Sequence, residues 1–199
     1  MSPGARTGLK VGVVCLLLAV CVVPAAGQAP APAPVASSGT VQFAFTPQDD
    51  AEGMIVAAIN GAKRQILVQA FNFTSRKLAH ALIAAKRRGV DVRVTADRAQ
   101  TFSGESSRIP DLAAAGIPVR LEIRYQNAHN KVMVIDAGLP DSAVVTGSYN
   151  WTYAAQRANA ENVLILRRNP QVARAYAENW NRHAAEAVPY DPAQAGNVH

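Results

Sequence analysis

Short, strongly apolar runs alternate with helical patterns through most of the chain. The run Gln65–Phe71 is almost continuously apolar, as expected for a strand that is covered on both faces of a sheet. Ser75–Arg88 instead carries apolar residues at helical spacing, and Gly89 ends the pattern. The same criteria predict strands at Val41–Phe45, Val90–Ala96, Val119–Ile123, Lys131–Ile135, Ala143–Thr146 and Asn162–Leu166, and helices at Asp49–Arg64, Ile109–Ala115 and Pro170–Ala187. This alternation predicts an α/β fold with a mixed β-sheet, parallel in part, and helices on both faces.

The N-terminal segment has a different pattern. Arg6 and Lys10 precede the apolar run Val11–Val23, and a proline and small residues follow it. This order predicts a secretory signal peptide over residues 1–27 and therefore an exported protein. The alternative is an uncleaved anchor, although the run is shorter than the about 20 apolar residues of a membrane span. Residues 28–39 are predicted to be a Pro/Ala-rich linker, 40–188 the folded domain and 189–199 a flexible tail.

The charge and cysteine content limit the possible partners and ligands. The chain has a formal charge of +6 and a pI near 9.7, which suits a polyanion such as nucleic acid or an anionic membrane surface. Cys15 and Cys21 both fall within the predicted signal peptide. The mature chain is therefore expected to contain neither a disulfide nor a cysteine metal site.

One cluster of residues points to phosphoryl chemistry. His129 and Lys131 are two residues apart at the start of a predicted strand, so their side chains project from the same face. An imidazole can act as the nucleophile, and an ammonium neutralises phosphate oxygens. Ser148 and Asn150 follow the next predicted strand. Because the two strands form a predicted hairpin, this hydroxyl and this amide are expected to reach the same phosphate.

The order of these residues resembles the signature of a known family. His129, Lys131 and Asp136 give H-x-K-x4-D, and residues 147–150 give G-S-x-N, as in the phospholipase D superfamily. Gln69–Ser75 and Arg88–Val94 are similar to the small bacterial endonuclease branch of that family, and the resemblance covers roughly residues 40–183. It implies the phospholipase D-like α-β-α sandwich and, with the absence of disulfides, favours a periplasmic or secreted protein.

The resemblance also implies a role for each motif residue. His129 would attack phosphorus to form a phosphohistidine, while Lys131 and Asn150 bind the non-bridging oxygens with support from Ser148. Glu161 would accept a hydrogen bond from the nucleophilic imidazole and fix its tautomer.

Asp136 is expected to hold the structure together without touching substrate. No cofactor or metal is expected, because the Lys131 ammoniums of two paired chains and the neighbouring donors would supply the positive field.

The chain contains one copy of the motif, although the reaction needs a second histidine to protonate the leaving oxygen. Small members of the family pair two chains. We therefore expect a homodimer in which two His129 residues share one composite active site.

The chain is expected to be a metal-independent phosphodiesterase. We expect it to cut DNA as a non-specific endonuclease, and RNA stays open as a further substrate. A second hypothesis is a phospholipase that hydrolyses phospholipid headgroups, but the sequence shows no clear apolar rim or amphipathic segment for it. A third is a non-catalytic nucleic-acid-binding module. No stable membrane insertion is expected once the signal segment is removed.

Some features outside the motif carry weaker expectations. Ten residues separate Asp136 from Gly147, more than in the superfamily pattern, which predicts a longer hairpin tip around Gly138–Asp141 that alters what enters the site. Phe71 is expected in the core, with stacking on a base as the alternative, and His183 is expected in solvent. Other candidates for contact with nucleic acid are the aromatic residues Phe73 and Phe102 and the cations Arg76, Arg98 and Arg108.

Overall fold

A computed structural model describes residues 1, 31–36, 38–103 and 106–193. The chain divides into two compact units, Met1–Pro34 and Val35–His199, and every helix and strand described below lies in the second. The predicted signal peptide, apart from its first residue, lies outside the described residues. Residues 31–36 of the predicted linker are exposed and have no regular secondary structure.

One mixed sheet of eight strands organises the second unit. The strands run at Thr40–Thr46 (β1), Gln65–Ala70 (β2), Asp91–Asp97 (β3), Val119–Glu122 (β4), Lys131–Ile135 (β5), Ala143–Gly147 (β6), Glu161–Arg167 (β7) and Val188–Pro189 (β8). Their spatial order is β1-β7-β6-β5-β2-β3-β4-β8. The neighbours β2, β3 and β4 are parallel and all other pairs are antiparallel. The mixed sheet predicted from the sequence is confirmed.

Among the described residues, six helices connect the strands, and local sequence explains where several of them begin. They are Ala51–Asn60 (α1), Arg76–Arg87 (α2), Arg98–Phe102 (α3), Ile109–Ala114 (α4), Tyr153–Arg157 (α5) and Pro170–Glu186 (α6). Asp50 caps α1 and Ser75 caps α2 by accepting hydrogen bonds from backbone N–H groups of the first turn. The short helix α3 was not predicted, because its five residues are too few to show a helical period.

The helices cover both faces of the sheet. The larger core packs apolar residues of α1, α2 and α4 against one face, including Ile55, Leu82 and Leu112. On the other face, α6 packs Ala173 and Trp180 against strand residues that include Leu67 and Val134. The indole N–H of Trp180 also donates to the carbonyl of Val68 at 2.9 Å. We call these the α1/α2 face and the α6 face.

The predicted flexible tail is wrong at its first residues. Pro189 belongs to β8, which pairs with β4, and the N–H of Tyr190 donates to the Val119 carbonyl at 3.0 Å. The Tyr190 ring also stacks on Phe102, with centroids 6.0 Å apart. Two prolines suggested a disordered tail, but proline is tolerated on a short edge strand. Residues 191–193 are exposed, and 194–199 lie outside the described residues.

The long hairpin tip between β5 and β6 lies away from the predicted site. Ile135 pairs with Ala143 next to this tip, while Lys131 begins β5 at the opposite end of the strand. Lys63 contacts Asp141 of the tip at 2.8 Å. The expectation that the tip alters what enters the site is therefore wrong, since five strand residues separate the two ends.

Within the described ranges, no helix combines the length and the apolar composition needed to cross a lipid bilayer.

Candidate active site

The predicted site residues converge at one edge of the sheet, which we call the site edge. Here β2 and β6 end while β5 and β7 begin. Lys131 at the start of β5 pairs with Ala70 at the end of β2, and Gly147 at the end of β6 pairs with Val163, two residues from Glu161 at the start of β7. Residues that are up to 90 positions apart in sequence are thus brought to one edge by the antiparallel pairing of β5 with both β2 and β6.

The His129–Lys131 pair has the side-by-side geometry that its spacing predicts. The Lys131 Nζ lies 2.9 Å from His129 Nδ1 and 2.9 Å from the His129 carbonyl oxygen. Lys131 is only 6% exposed, whereas His129 is exposed. Burial lowers the pKa of Lys131 from its usual value, and the charge of Glu161 opposes that change. The pair therefore offers an accessible imidazole beside a buried amine.

Phe71 lies in the site, although the sequence favoured a core position over stacking on a base. Its ring centroid is 4.2 Å from that of His129 at an interplanar angle of 57°, and Lys131 Nζ lies 4.7 Å from the same ring centroid. The Phe71 N–H donates to the Asn130 carbonyl, which extends the pairing of β2 with β5 by one residue. Phe71 is thus half-buried against the imidazole and not in the core as predicted. Only the pairing of the two strands would have revealed its position.

Ser148 and Glu161 form a second group at the site edge. The Ser148 hydroxyl donates to Glu161 Oε2 at 2.6 Å, and Asn159 Nδ2 donates to Oε1 at 2.9 Å. Gly147 allows this approach, because its φ is +149° and a Cβ would lie 2.3 Å from the Asn162 carbonyl oxygen.

The hydrogen bond expected between Glu161 and the His129 imidazole is not among those formed within the described part of the chain. There, Nδ1 contacts Lys131, and the carboxylate is shared by Ser148 and Asn159.

Asn150 is held beside this group by the aromatic residues that flank it. Trp151 is fully buried and its indole N–H donates to the Gln69 carbonyl at 2.9 Å. Burial, with the charges of nearby carboxylates, raises the pKa of the Tyr149 hydroxyl well above its usual value. The Oδ1 atom of Asn150 is buried and lacks a hydrogen-bond partner among the described residues. The amide of Asn150 is therefore fixed in place while its oxygen is not engaged by the described protein atoms.

Asp136 lies at the far end of β5 and organises the chain there. Its carboxylate accepts hydrogen bonds from the backbone N–H groups of Lys63, Arg64 and Gln65 at 2.7–2.9 Å. It is 3% exposed and has a φ of +52°. These contacts connect the turn before β2 to the end of β5, so Asp136 supports the sheet and lies one strand length away from Lys131.

His183 is not solvated as predicted. Its Nδ1 contacts Glu122 Oε2 at 2.5 Å, and Glu122 itself is buried. Its ring also lies 5.1 Å from that of Tyr125. Residue 183 is on α6 and 122 ends β4, so this pair fastens the C-terminal helix to the sheet. No local pattern in the sequence connects two residues so far apart.

The remaining candidates for contact with nucleic acid fall into different environments. Phe73 is buried and Phe102 packs against Tyr190, so neither ring is available for stacking on a base. Arg108 pairs with Asp111 at 3.0 Å. Arg76 is exposed at the start of α2, where it lines a cleft next to the site edge.

Across residues 31–36, 38–103 and 106–193, no three His, Cys, Asp or Glu side chains are grouped so that they could hold a metal ion.

Comparison with known proteins gives consistent matches over the folded unit. Residues 55–184 match the family described as cardiolipin synthase, PLD-like domain. A protein named phospholipase D from Rickettsia typhi is 35% identical over 156 residues, which cover 78% of this chain and 74% of that protein. Mitochondrial cardiolipin hydrolase from Xenopus laevis is 35% identical over 145 residues, covering 73% and 65% of the two chains.

Two solved structures share the fold. Nuc from Salmonella typhimurium, described as a phospholipase D family member, superposes with a TM-score of 0.71 and 33% identity, covering 76% of this chain and 97% of Nuc. NucT from Helicobacter pylori gives a TM-score of 0.68 over 76% and 99% of the two chains, at 21% identity.

Proposed function

Since the chain belongs to the phospholipase D superfamily and is a phosphodiesterase of that superfamily, we propose that it is an exported nuclease that cleaves DNA, with RNA as a second substrate, without a metal ion. The observation that carries this proposal is the contact between the Lys131 amine and the His129 imidazole on an open edge of the sheet. A nucleophile and a cation for the phosphate oxygens lie together there. Superfamily membership supports phosphodiester chemistry as the reaction of this pair.

The reaction has two balanced steps. Nε2 of His129 attacks phosphorus, the P–N bond forms, and the P–O bond to the leaving group breaks. The leaving oxygen takes a proton from a second histidine. Water then attacks phosphorus, gives a proton to that second histidine and breaks the P–N bond, which restores His129. Lys131 and the Asn150 side chain stabilise charge on the non-bridging oxygens during both steps.

Lys131 also controls which imidazole nitrogen can react. A charged ammonium only donates, so its contact with Nδ1 requires that this nitrogen accepts and that Nε2 carries the hydrogen of the neutral ring. In that tautomer Nε2 cannot attack. A phosphate that draws Lys131 away from Nδ1 would free this nitrogen to hold the hydrogen, with a carboxylate such as that of Glu161 as acceptor. Substrate binding thus prepares the nucleophile.

The second histidine is proposed to come from a second copy of the chain. The motif occurs once, and the other described histidines are remote: His80 is exposed on α2, and His183 is engaged by Glu122. His129 is exposed at the site edge, so a two-fold axis through that edge would bring two such imidazoles together. The proposed enzyme is therefore a homodimer with one composite site.

Nucleic acid is the proposed substrate because cations gather beside the motif. Arg76, Lys77 and Arg157 line one cleft together with Tyr153, which follows Asn150 by three residues. A polyanion gains from each such contact, since phosphates that bind cationic side chains release their counterions. The formal charge of +6 acts in the same direction.

Phospholipid hydrolysis is the second candidate, and one observation favours it. Val41, Phe43 and Phe45 are exposed along the edge strand β1, and the two phenylalanine rings lie 5.7 Å apart. Ile123 and Tyr125 are exposed just after β4, at the site edge. Exposed apolar side chains near a site suit binding to a lipid surface. The sequence had shown no clear apolar rim of this kind.

A side-by-side assay separates the two candidates. The purified chain without its first 27 residues is offered single-stranded DNA, RNA and phosphatidylcholine vesicles, each with excess chelator. The proposal expects cleavage of DNA that persists in chelator, and little release of headgroup from vesicles. Hydrolysis of vesicles alone would establish the phospholipase instead, and loss of all activity in chelator would refute a metal-independent reaction.

A further inference from the structure

A cleft between the start of α2 and α5 lies next to the motif and has no role in the chemistry described so far. It has a volume of about 350 Å³ and is lined by Glu52, Thr74–Lys77, Tyr153, Gln156 and Arg157. We call it the α2–α5 cleft. Because a concave site with several polar groups is a common form of ligand site, its lining decides what it can hold.

The chain itself fixes the cleft against the active site. The N–H groups of Thr74 and Ser75 both donate to the Trp151 carbonyl at 2.9 Å, and the N–H of Tyr153 faces the Thr74 hydroxyl at 3.4 Å. Tyr153 is three residues after Asn150, so their Cα atoms are at most about 11 Å apart. The cleft is therefore within reach of the unit that follows a phosphate held at Asn150.

Tyr153 gives the cleft an aromatic surface. Its side chain is 69% exposed, although α5 buries the residues on its opposite side, including Ala155. The ring does not contribute to the core, so its exposure calls for a different explanation. A base can stack on an exposed aromatic ring whatever its sequence, because every base has a π-face.

The charges of the cleft are arranged by depth. Glu52 is buried at its floor, where it accepts from the Ser75 hydroxyl at 2.5 Å and lies 3.4 Å from Lys77. Arg76 and Arg157 are exposed at the rim, and within the described ranges neither forms an ion pair with a carboxylate. The rim therefore attracts a phosphate, whereas the floor repels one.

One wall of the cleft is rigid before any ligand binds. The side chain of Gln156 accepts from the N–H of Glu52 at 2.8 Å and donates to the Asp49 carbonyl at 2.9 Å. Both polar ends of the amide are thus engaged by backbone, and the residue is buried. A preformed wall lowers the ordering cost of binding.

We propose that the α2–α5 cleft binds the nucleotide next to the scissile phosphate in a single strand, with its base stacked on Tyr153 and the adjoining phosphate at Arg76 and Arg157. This inference rests on the proposed nuclease function and adds a subsite to it. The cleft gives the enzyme a preference for substrates that continue beyond the cleaved bond. Because an aromatic surface accepts any base, the subsite adds affinity with little base preference.

The test compares how efficiently the same active site cleaves a long substrate, which extends beyond the scissile phosphate, and a small diester, which does not. The value of kcat/KM is measured for a single-stranded oligonucleotide and for bis(4-nitrophenyl) phosphate, which carries neither a base nor a second phosphate for the cleft to bind. Tyr153→Ala is expected to lower the ratio of the two values about tenfold, the usual effect of losing one stacked base. Tyr153→Phe is expected to keep the ratio, since it retains the ring. Arg157→Ala is expected to lower the ratio and to reduce its dependence on salt.

The chain offers matched controls for both changes. Phe43 is 63% exposed on the α6 face of β1, so Phe43→Ala removes an aromatic ring of similar exposure away from the cleft. Arg174 is exposed on α6, where its guanidinium donates to the Pro170 carbonyl of the same helix. Neither Phe43→Ala nor Arg174→Ala is expected to alter the ratio of the two kcat/KM values.

Two results would overturn the subsite, and they differ from failure of the nuclease. If the wild type cleaves the oligonucleotide and Tyr153→Ala leaves the ratio unchanged, the subsite is wrong and the nuclease stands. If Tyr153→Ala lowers both activities equally, the residue has only a structural role. If the wild type hydrolyses the small diester but neither binds nor cleaves the oligonucleotide, the proposed nuclease function fails and the subsite fails with it.

Discussion

The ammonium nitrogen of Lys131 is shared between two acceptors of one neighbour, Nδ1 of the His129 ring and the His129 carbonyl oxygen, each at 2.9 Å. Phe71 lies against both side chains and limits their movement. The pair is thus held in a geometry in which a phosphate competes with the imidazole for the same amine.

Removal of the amine should disable the reaction without unfolding the protein. Lys131→Ala is expected to lower kcat by about 10²–10³-fold, the usual effect of losing one donor that stabilises charge in the transition state. Steady-state kinetics with the small diester measure it. Lys63→Ala is the matched control, because this lysine pairs with Asp141 at the far end of β5. Comparable losses in both variants would contradict the role of Lys131.

The activity should fall at an alkaline pH that is lower than an ordinary lysine would give. Burial lowers the pKa of Lys131, and the charge of Glu161 partly opposes this. The amine is charged below its pKa, so its contribution is lost as pH rises through that lowered value. Bis(4-nitrophenyl) phosphate has a leaving group that does not need the proton of the second histidine, so its profile of kcat/KM against pH should place the alkaline limb of Lys131 below the usual lysine pKa of about 10.4.

Glu161→Gln tests in which direction the alkaline limb moves when this carboxylate is lost. Removing this carboxylate removes the influence that raises the pKa of Lys131, so the alkaline limb should move to still lower pH. Glu178→Gln, which changes an exposed residue of α6, should leave the limb in place. A limb that moves upward in Glu161→Gln would refute this account of Lys131.

The motif positions and the strands were largely predictable, and the reasons are local. The spacing of His129 and Lys131 puts both side chains on one face of β5, and the alternation of apolar runs with helical patterns indicated the mixed sheet. The predicted helix starts at Asp49 and Ser75 lie within two residues of the observed starts of α1 and α2, which Asp50 and Ser75 cap. Each of these features depends on residues within a few positions of one another.

The features that sequence reasoning missed depend on distant pairings. Phe71 reaches His129 because β2 pairs with β5, and His183 reaches Glu122 because α6 crosses the end of β4. The order of strands in the sheet creates both contacts. The two prolines near the C-terminus likewise suggested a flexible tail where the structure has β8. The pairing of β8 with β4 is visible only in the fold.

Asp136 should matter for stability and little for chemistry. Asp136→Ala leaves three backbone N–H groups without their acceptor and places alanine at a φ of +52°. Since a buried donor without a partner costs about 1–3 kcal/mol, the free energy of unfolding should fall by about 3 kcal/mol or more.

Chemical denaturation measures this loss. Asp136→Asn should lose less, because asparagine keeps one acceptor oxygen and tolerates the left-handed region. Asp141→Ala removes an exposed partner of Lys63 and should change stability little. An Asp136→Ala variant as stable as the wild type would contradict the bracing role of this carboxylate.

The composite site requires two chains. Light scattering on the chain without residues 1–27 should report twice the monomer mass at concentrations where the enzyme is active. Activity should also fall on dilution in parallel with that mass, because each monomer carries one His129. An active species that stays monomeric under the assay conditions would rule out a shared site.

The covalent phosphate on His129 is the central claim, and trapping it is the most direct test. Enzyme mixed with excess oligonucleotide in chelator is quenched during turnover without acid, digested and analysed by mass spectrometry. The account predicts a phosphoryl-linked adduct on the peptide that contains His129, absent in His129→Ala, which should still bind DNA while its turnover falls by orders of magnitude. Full turnover by His129→Ala, or an adduct that maps to another residue, would contradict it.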